Sequence, residues 1–326
     1  MKMNILVTGG AGYIGSHFVK KAIESGHETI VFDNLSRGHI EAVHKYAKFE
    51  QIDLLNLKEL TEALLKYKID AVVHFAAFAY VGESVEHPSL YYENNVIGTL
   101  NLLKAIQLRD IKKFVFSSTC SLYGNPLRVP ISEEESEKPI NPYARTKLFI
   151  EKILKDYDSA YGLKYFSLRY FNAAGANPSG EIGESHIPET HLIPLVLQTA
   201  LGNREKILIF GDNYDTMDGT CIRDYIHVDD LAEAHLLALE YLNANELSQF
   251  VNLGVGRGYS VKKIIEIAEE ITKTKIKTEI APRRIGDPAI LVADNTKAKK
   301  LLNWTPKYDI YQIIETAYKW HKNQKY

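Results

Sequence analysis

Tyr143 and Lys147, four residues apart, carry the first hint of chemistry. On a helix, positions i and i+4 share a face. An ammonium beside a phenol favours the phenolate, and an oxidised nicotinamide ring would push the same way. Such a tyrosine can act as general base or acid near neutral pH. Upstream, the hydroxyl run "SSTCS" at 117–121 ends the apolar stretch Phe114, Val115, Phe116. In a doubly wound sheet ligands bind beyond the C-terminal ends of the strands, so the Thr119 hydroxyl is expected to reach a reacting oxygen beside Tyr143. Taken without that context, the same stretch is a turn with local hydroxyl bonds.

A second group of residues suits a dinucleotide. "TGGAGYIGS" places Gly9, Gly12 and Gly15 between a predicted strand and a predicted helix, in the spacing GxxGxxG. Gly9 permits the tight turn, Gly12 lets the backbone approach a pyrophosphate, and Gly15 lets helix and strand pack closely. The helix N-terminus then offers its amides to the phosphates. Asp33 ends the next predicted strand, eighteen residues after Gly15. A carboxylate there accepts from both ribose hydroxyls and repels a 2′-phosphate, which favours NAD over NADP. Arg37, close by, keeps the second cofactor open.

The elements that would position these residues follow from periodicity. Strand-length apolar runs at 3–8, 29–33, 49–53, 71–75, 113–118 and 165–171 alternate with helical patterns at 13–25, 57–67, 89–108 and 142–161. That alternation predicts an α/β fold, a Rossmann-type doubly wound parallel sheet with helices on both faces. After Asn172 a long Gly-, Pro- and Glu-rich stretch, "AAGANPSGEIGESHIPET", reads as a functional loop. Beyond it, helices at 192–200, 228–242 and 261–272 and strands at 207–210 and 250–253 predict a smaller C-terminal α/β lobe. The acidic run "SEEESEKP" reads as a solvated loop.

Composition sets the bounds. The 326 residues are 45% apolar and 25% charged, as in an ordinary globular chain of more than one core, and the net charge of -2 argues against nucleic acid as a main partner. Cys120 and Cys221 are too few for a disulfide framework and are not at metal-ligand spacing, so no metal is expected. No run is long and apolar enough for a membrane span, and the start has no signal-peptide pattern; a cytoplasmic location is the expectation.

Taken together, "TGGAGYIGSH", "VFDNLSRG", "HFAA…VGES", "YYENNVIGT", "FSSTCSLYG", "NPYARTK", "LRYFNAAGA", "DGTCIRDYIHVDDLAEAH" and "APRRIGDPAILVAD" resemble, in order, segments of the extended short-chain dehydrogenase/reductase family, and within it the nucleotide-sugar 4-epimerases. The resemblance covers nearly the whole chain. It implies an isomerase that interconverts UDP-galactose and UDP-glucose by transient oxidation at C4 with tightly bound NAD, as in galactose metabolism. Tyr143 would be the base, assisted by Thr119 and Lys147. The implied NAD site comprises Gly9, Gly12, Tyr13, Ile14, Gly15, Asp33 and Asn34, then Asp53, Leu54, Phe75, Ala76, Ala77 and Asn94, and then Ser117, Tyr143, Lys147 and Tyr170. For the UDP-sugar it implies Thr119, Ser121, Tyr143, Asn172, His191 and Leu192, with Phe210, Tyr214, Arg223, Arg284, Asp287 and Leu291. Two arginines would meet the diphosphate and Asp287 the uridine ribose.

The implied domains are an NAD-binding domain at 1–172, with returning segments near 219–242 and 249–256, and a UDP-sugar lobe in the rest of 173–326. Related 4,6-dehydratases carry Asp-Glu after the threonine; Cys120 and Ser121 stand there instead. Cys120 therefore reads as a packed neutral thiol, since hydride chemistry needs no thiolate. Ala79 stands where some relatives carry a lysine, His191 where an asparagine is common, and Leu291 where residue size gates the sugar. N-acetylated UDP-hexoses and UDP-pentoses stay open as substrates. A net dehydrogenase and a non-catalytic NAD-binding regulator are the readings of other classes. The family also implies a homodimer through the helices at 89–108 and 142–161.

Overall fold

The structure, a computed structural model, describes residues 2–284 and 287–326. Contacts divide these residues into two units. The first is made of the chain up to Tyr123, Glu137–Arg169 and Ala232–Val251; the second of Gly124–Ser136, Tyr170–Leu231 and Asn252–Tyr326. Relative to the expected division, 124–136, 170–172, 219–231 and 252–256 group with the second unit and 243–248 with the first. For 124–136 the reason is local: Ile131 forms a bridge with Ala293, and the Glu133 carboxylate accepts from the Asn252 amide at 2.7 Å.

The first unit is built on a seven-stranded sheet in the order Gln249–Leu253, Lys164–Tyr170, Lys113–Ser117, Ala71–His74, Asn4–Thr8, Glu28–Asp33, Lys48–Gln51. The pairings of Asn4–Thr8 with both its neighbours, and of Lys113–Ser117 with both of its own, are parallel. The chain starts at Asn4–Thr8, winds to one edge, and restarts from Ala71–His74 toward the other. This reversal creates the crevice at which such sheets bind ligands. Every residue of Ala71–His74 is buried, as expected of a strand covered on both faces. Leu6, Ile30, Phe32, Val72, Phe114 and Phe116 share one core cluster with Leu60 and Leu64 of the helix Leu57–Leu65 and Ile150 of the helix Pro142–Tyr161. Within this core His74 bridges Thr8 Oγ1 (2.6 Å) and Thr99 Oγ1 (2.8 Å), and burial pushes its imidazole down to about 3, so it stays neutral.

In the second unit the strand Ile222–His227 pairs with Asn172–Ala174, Gly258–Ser260 and Ile290–Leu291. A separate parallel pair joins Ile207–Phe210 to Thr278–Ala281. Helices Leu192–Ala200, Val261–Thr272 and Ile310–Lys322 enclose the unit's core through Ile193, Val196, Ile264, Ile313 and Ile314. Asp224, fully buried, ties this small sheet together. Its carboxylate accepts from the amides of Val255, Gly256 and Ala293 at 2.8–3.1 Å, while burial pushes it up to about 6.

Two expectations need correction. The single helix at 89–108 is three pieces: Pro88–Tyr91, a π-helical turn over Tyr92–Ile97, and Gly98–Gln107. The wider turn shifts the helical phase. It buries Asn95, whose side chain bonds both backbone groups of Phe78 (2.8 and 3.0 Å) and Thr146 Oγ1 (3.1 Å). The acidic run is not uniformly solvated either. Glu137 pairs with Arg169, whose guanidinium is almost wholly buried and requires carboxylates around it.

Candidate active site

Gly9 sits at the sheet's reversal point. Its φ is +74°, and a Cβ there would lie 2.5 Å from the Ala76 amide nitrogen, so only glycine fits. A Cβ on Gly15 would lie 2.1 Å from the Gly9 carbonyl oxygen. Gly12 begins the helix Tyr13–Glu24 without a side-chain cap, and no acidic residue stands in the first turn. A helix start of this kind presents amides and the positive dipole end to an anion, and nothing negative competes for them.

Asp33, 8% exposed, is held by the amides of Ala11 (3.0 Å) and Leu35 (2.9 Å), while burial pushes its carboxyl upward. Asn34 donates to Asp53 Oδ2 at 3.2 Å, which brings two expected cofactor residues together. Arg37 is engaged elsewhere. It makes a two-contact pair with Glu83, both at 2.7 Å, and lies over the rings of Phe78 (4.3 Å) and Tyr80 (4.4 Å). Glu83 is itself fixed by the Tyr91 hydroxyl at 2.6 Å. A guanidinium held in this way is a poor receptor for a 2′-phosphate, so the site fits NAD. Glu83→Gln together with Asp33→Ser should release Arg37 and remove the repulsion. The ratio of NADP to NAD affinity should then rise at least about 10-fold, as read by fluorescence titration.

The strand end and the helix of Tyr143 are tied to each other. The helix Pro142–Tyr161 opens with Asn141 accepting from the Ala144 amide at 2.8 Å and with proline in its first turn. Lys147 Nζ donates to the Ser117 carbonyl at 2.8 Å and lies 6.0 Å from the centre of the Tyr143 ring. Burial pushes the Lys147 ammonium down to about 7. One turn on, Glu151 accepts from Ser118 Oγ at 2.6 Å. Thr119 and Tyr143 are 5% and 8% exposed, so both side chains are packed. Thr119 Oγ1 accepts from the Ser121 amide at 3.1 Å. Leu54 and Phe75 are half-buried, as are Ala76, Ala77 and Asn94; Ala79 is exposed. Sequence reasoning missed Asn95, Glu83 and Glu151, which hold the surrounding elements in place. Asn95 and Glu151 are marked by burial of a polar side chain and Glu83 by its pairing with Arg37, neither of which a linear pattern shows.

In the second unit, strand register collects several expected substrate residues. Leu291 stands beside Arg223, and Asn172 beside Tyr225. Asn172 Nδ2 donates to the Asp224 carbonyl at 2.8 Å. Arg223 pairs with Asp287 at 2.5 Å and donates to the Ile222 carbonyl at 2.9 Å. Arg284 lies 4.0 Å over the Phe210 ring, and Arg283, not anticipated, lies 4.0 Å over Tyr214. Arg283 and Arg284, both exposed and each over an aromatic ring, make a surface suited to a base and a diphosphate, whereas Arg223 would have to exchange its Asp287 partner to reach a phosphate. His191 caps the helix Leu192–Ala200 and lies with Glu184, His186 and Glu189, a grouping that the spacing E-x-H-x-x-E-x-H announces.

A reversed parallel sheet, a glycine turn built for a pyrophosphate and a tyrosine–lysine helix define a dinucleotide-dependent enzyme of sugar or alcohol chemistry. The chain belongs to the NAD dependent epimerase/dehydratase family, whose pattern matches residues 5–254. It is 53% identical, over 98% of its length and 96% of the relative's, to a UDP-glucose 4-epimerase of Halalkalibacterium halodurans. It is similar to the crystal structure of UDP-glucose 4-epimerase from Brucella ovis in complex with NAD, with 50% identity, 97% of each chain covered and a TM-score of 0.94. A UDP-Glc/GlcNAc 4-epimerase from Campylobacter jejuni is 43% identical, with 98% of this chain and 99% of that one covered and a TM-score of 0.86.

Proposed function

We propose that this protein is a UDP-glucose 4-epimerase that interconverts UDP-galactose and UDP-glucose. The observation that carries the proposal is the hydrogen bond by which Lys147, one turn from Tyr143, ties that helix to the strand end at Ser117, in a chain half identical to enzymes of that name. Gly9, Gly12 and Asp33 would hold NAD, which would supply reversible hydride transfer at C4 of the sugar. Tyr143 would take the proton from the 4-hydroxyl and give it back to the same oxygen once the 4-keto sugar has turned its other face to the cofactor. Thr119 hydrogen-bonds the same oxygen. Lys147 holds the nicotinamide ribose and favours the phenolate. Asp33 takes the adenosine ribose hydroxyls. Arg223 and Arg284 grip the diphosphate and Asp287 the uridine ribose, leaving the 4-keto sugar free to turn over. Purified protein should convert UDP-galactose to UDP-glucose with no build-up of NADH. Stoichiometric NADH would identify a net dehydrogenase, and no turnover a binding protein.

Leu291 is intermediate in size between the residues that admit and exclude an acetamido group. Leu291→Tyr should therefore reduce kcat/KM for UDP-N-acetylgalactosamine by about 10–100-fold and leave UDP-galactose within about 3-fold. Equal loss on both substrates would remove Leu291 from the sugar pocket. The protein is further proposed to act in galactose metabolism in the cytoplasm; among the described residues no helix is long and apolar enough to cross a membrane. A homodimer is proposed through the two helical faces that expose Leu90, Ile97 and Phe149, apolar residues that gain by mutual burial. Sedimentation equilibrium at twice the chain mass would support it.

A further inference from the structure

The loop before the helix Leu192–Ala200 carries Glu184, His186, Glu189 and His191, and the chemistry proposed above uses none of their carboxylates or inward imidazole nitrogens. One donor atom from each lies within 4.8 Å of all the others. The spacings are those of a small polyhedron. Glu184 Oε1 is 2.7 Å from His191 Nδ1 and 3.2 Å from His186 Nδ1; the Glu189 carboxylate is 3.2 Å from His191 Nδ1 and 3.6 Å from His186 Nδ1. Zinc bonds of about 2.0–2.1 Å at tetrahedral angles set neighbouring donors about 3.3 Å apart. The observed edges bracket that value.

A second observation separates this cluster from an ordinary set of ion pairs. The Glu184 side chain is 4% exposed, and its Oε1 makes no hydrogen bond although an imidazole nitrogen stands 2.7 Å away. Such a buried carboxylate oxygen is costly unless something else satisfies it. Its contacts with the two imidazoles are charge contacts at 2.7 and 3.2 Å, and a cation among the four donors would satisfy it. The backbone is fixed to suit. Glu189 Oε1 accepts from the amides of Thr190 (2.7 Å) and His191 (2.8 Å), and the Glu184 carbonyl accepts from Trp320 Nε1 at 2.8 Å. His191 exposes 45% of its side chain while its Nδ1 faces the cluster, so a path for metal entry exists.

We propose that Glu184, His186, Glu189 and His191 bind one zinc-type divalent cation. Two imidazoles and two carboxylates are a borderline donor set that suits Zn²⁺ better than Mg²⁺ or Ca²⁺. Four protein ligands leave no open position, so the ion is structural: it clamps the 184–191 loop to the start of the next helix and takes no part in the reaction.

The test uses the full-length enzyme, untagged, stripped with a chelator and then dialysed against a small excess of ZnCl₂. Wild type should retain one zinc per chain by mass spectrometry and melt at a higher temperature than the stripped protein. Co²⁺ in place of zinc should give the strong visible bands of a tetrahedral site. His186→Ala and Glu189→Gln should each weaken zinc binding by more than about 100-fold. Failure of folded wild type to hold zinc would reduce the cluster to a self-contained quartet of charges and overturn the proposal, whatever the variants do. Equal zinc in wild type and in a folded His186→Ala would do the same.

Discussion

Tyr143→Phe should lower turnover of UDP-galactose by about 10³–10⁴-fold while leaving NAD content and thermal stability close to wild type. The loss is large because the hydroxyl is the group that moves the proton, and a positioned acid–base group contributes about 10²–10⁴. The fold should survive because the backbone around the ring is held by contacts that do not use that oxygen. The helix start is fixed by Asn141 and the Ala144 amide, Thr146 Oγ1 donates to the Tyr143 carbonyl at 2.7 Å, and Lys147 donates to the Ser117 carbonyl at 2.8 Å. Phenylalanine keeps the packed ring, which is 8% exposed. Steady-state kinetics, NAD absorbance and a melting curve on the same preparation are sufficient. Activity within about 10-fold of wild type would take the base role away from Tyr143, and unfolding would make the residue structural.

The second large effect is on stability. Arg169→Met should lower the unfolding free energy of the first unit by about 3–5 kcal/mol, read from urea midpoints. Arg169 is 2% exposed and reaches Glu151 through Nε (3.1 Å) and a terminal nitrogen (2.5 Å), Tyr123 OH at 3.0 Å and Glu137 at 2.5 Å, with Phe250 4.3 Å under its plane. Removing the cation leaves Glu151 buried at 9% exposure without its counter-charge. Arg169→Met with Glu151→Gln should recover part of the loss, because the neutral amide no longer needs the cation, and its oxygen can still accept from Ser118 Oγ. If the single and double variants are equally unstable, the charge pair is not the cause. Because Glu151 shares a helix with Tyr143 and Ser118 adjoins Thr119, the single variant should also lose activity before it unfolds.

Much of this was legible in the chain. The alternation of apolar runs located the strands of the parallel sheet, and the helices at 142–161, 192–200 and 261–272 stand at the residues expected. Periodicity works there because each of these helices is amphipathic over at least two turns. It failed at 89–108, where a π turn breaks the 3.6-residue repeat. It was not carried past 272, although Asp309 and Gln312 form a capping box and Ile310, Ile313, Ile314, Ala317 and Trp320 mark one helical face. Short strands such as Ile222–His227 escaped because "IRDYIH" is half polar, and its pairing partners lie far off in sequence. At the site, residue types and spacing located Gly9, Asp33, Tyr143 and Lys147. They could not show that Arg37 is spent on Glu83 or that Glu151 anchors Ser118, since those pairs join residues 46 and 33 positions apart.

The strand Gln249–Leu253 closes the sheet beside Lys164–Tyr170, and between them the chain makes 171–231 of the other unit and the helix Val228–Asn245. During synthesis the sheet therefore waits with a bare edge while that intervening stretch emerges. An exposed row of strand amides and carbonyls is a template for wrong pairing. A chain cut after Tyr170 would carry the glycine turn, Tyr143 and Lys147, yet would present that open edge permanently. Nascent chains of this protein should accordingly depend on holding chaperones until residue 251 has left the ribosome, a dependence set by the order of its strands and not by the strength of its core.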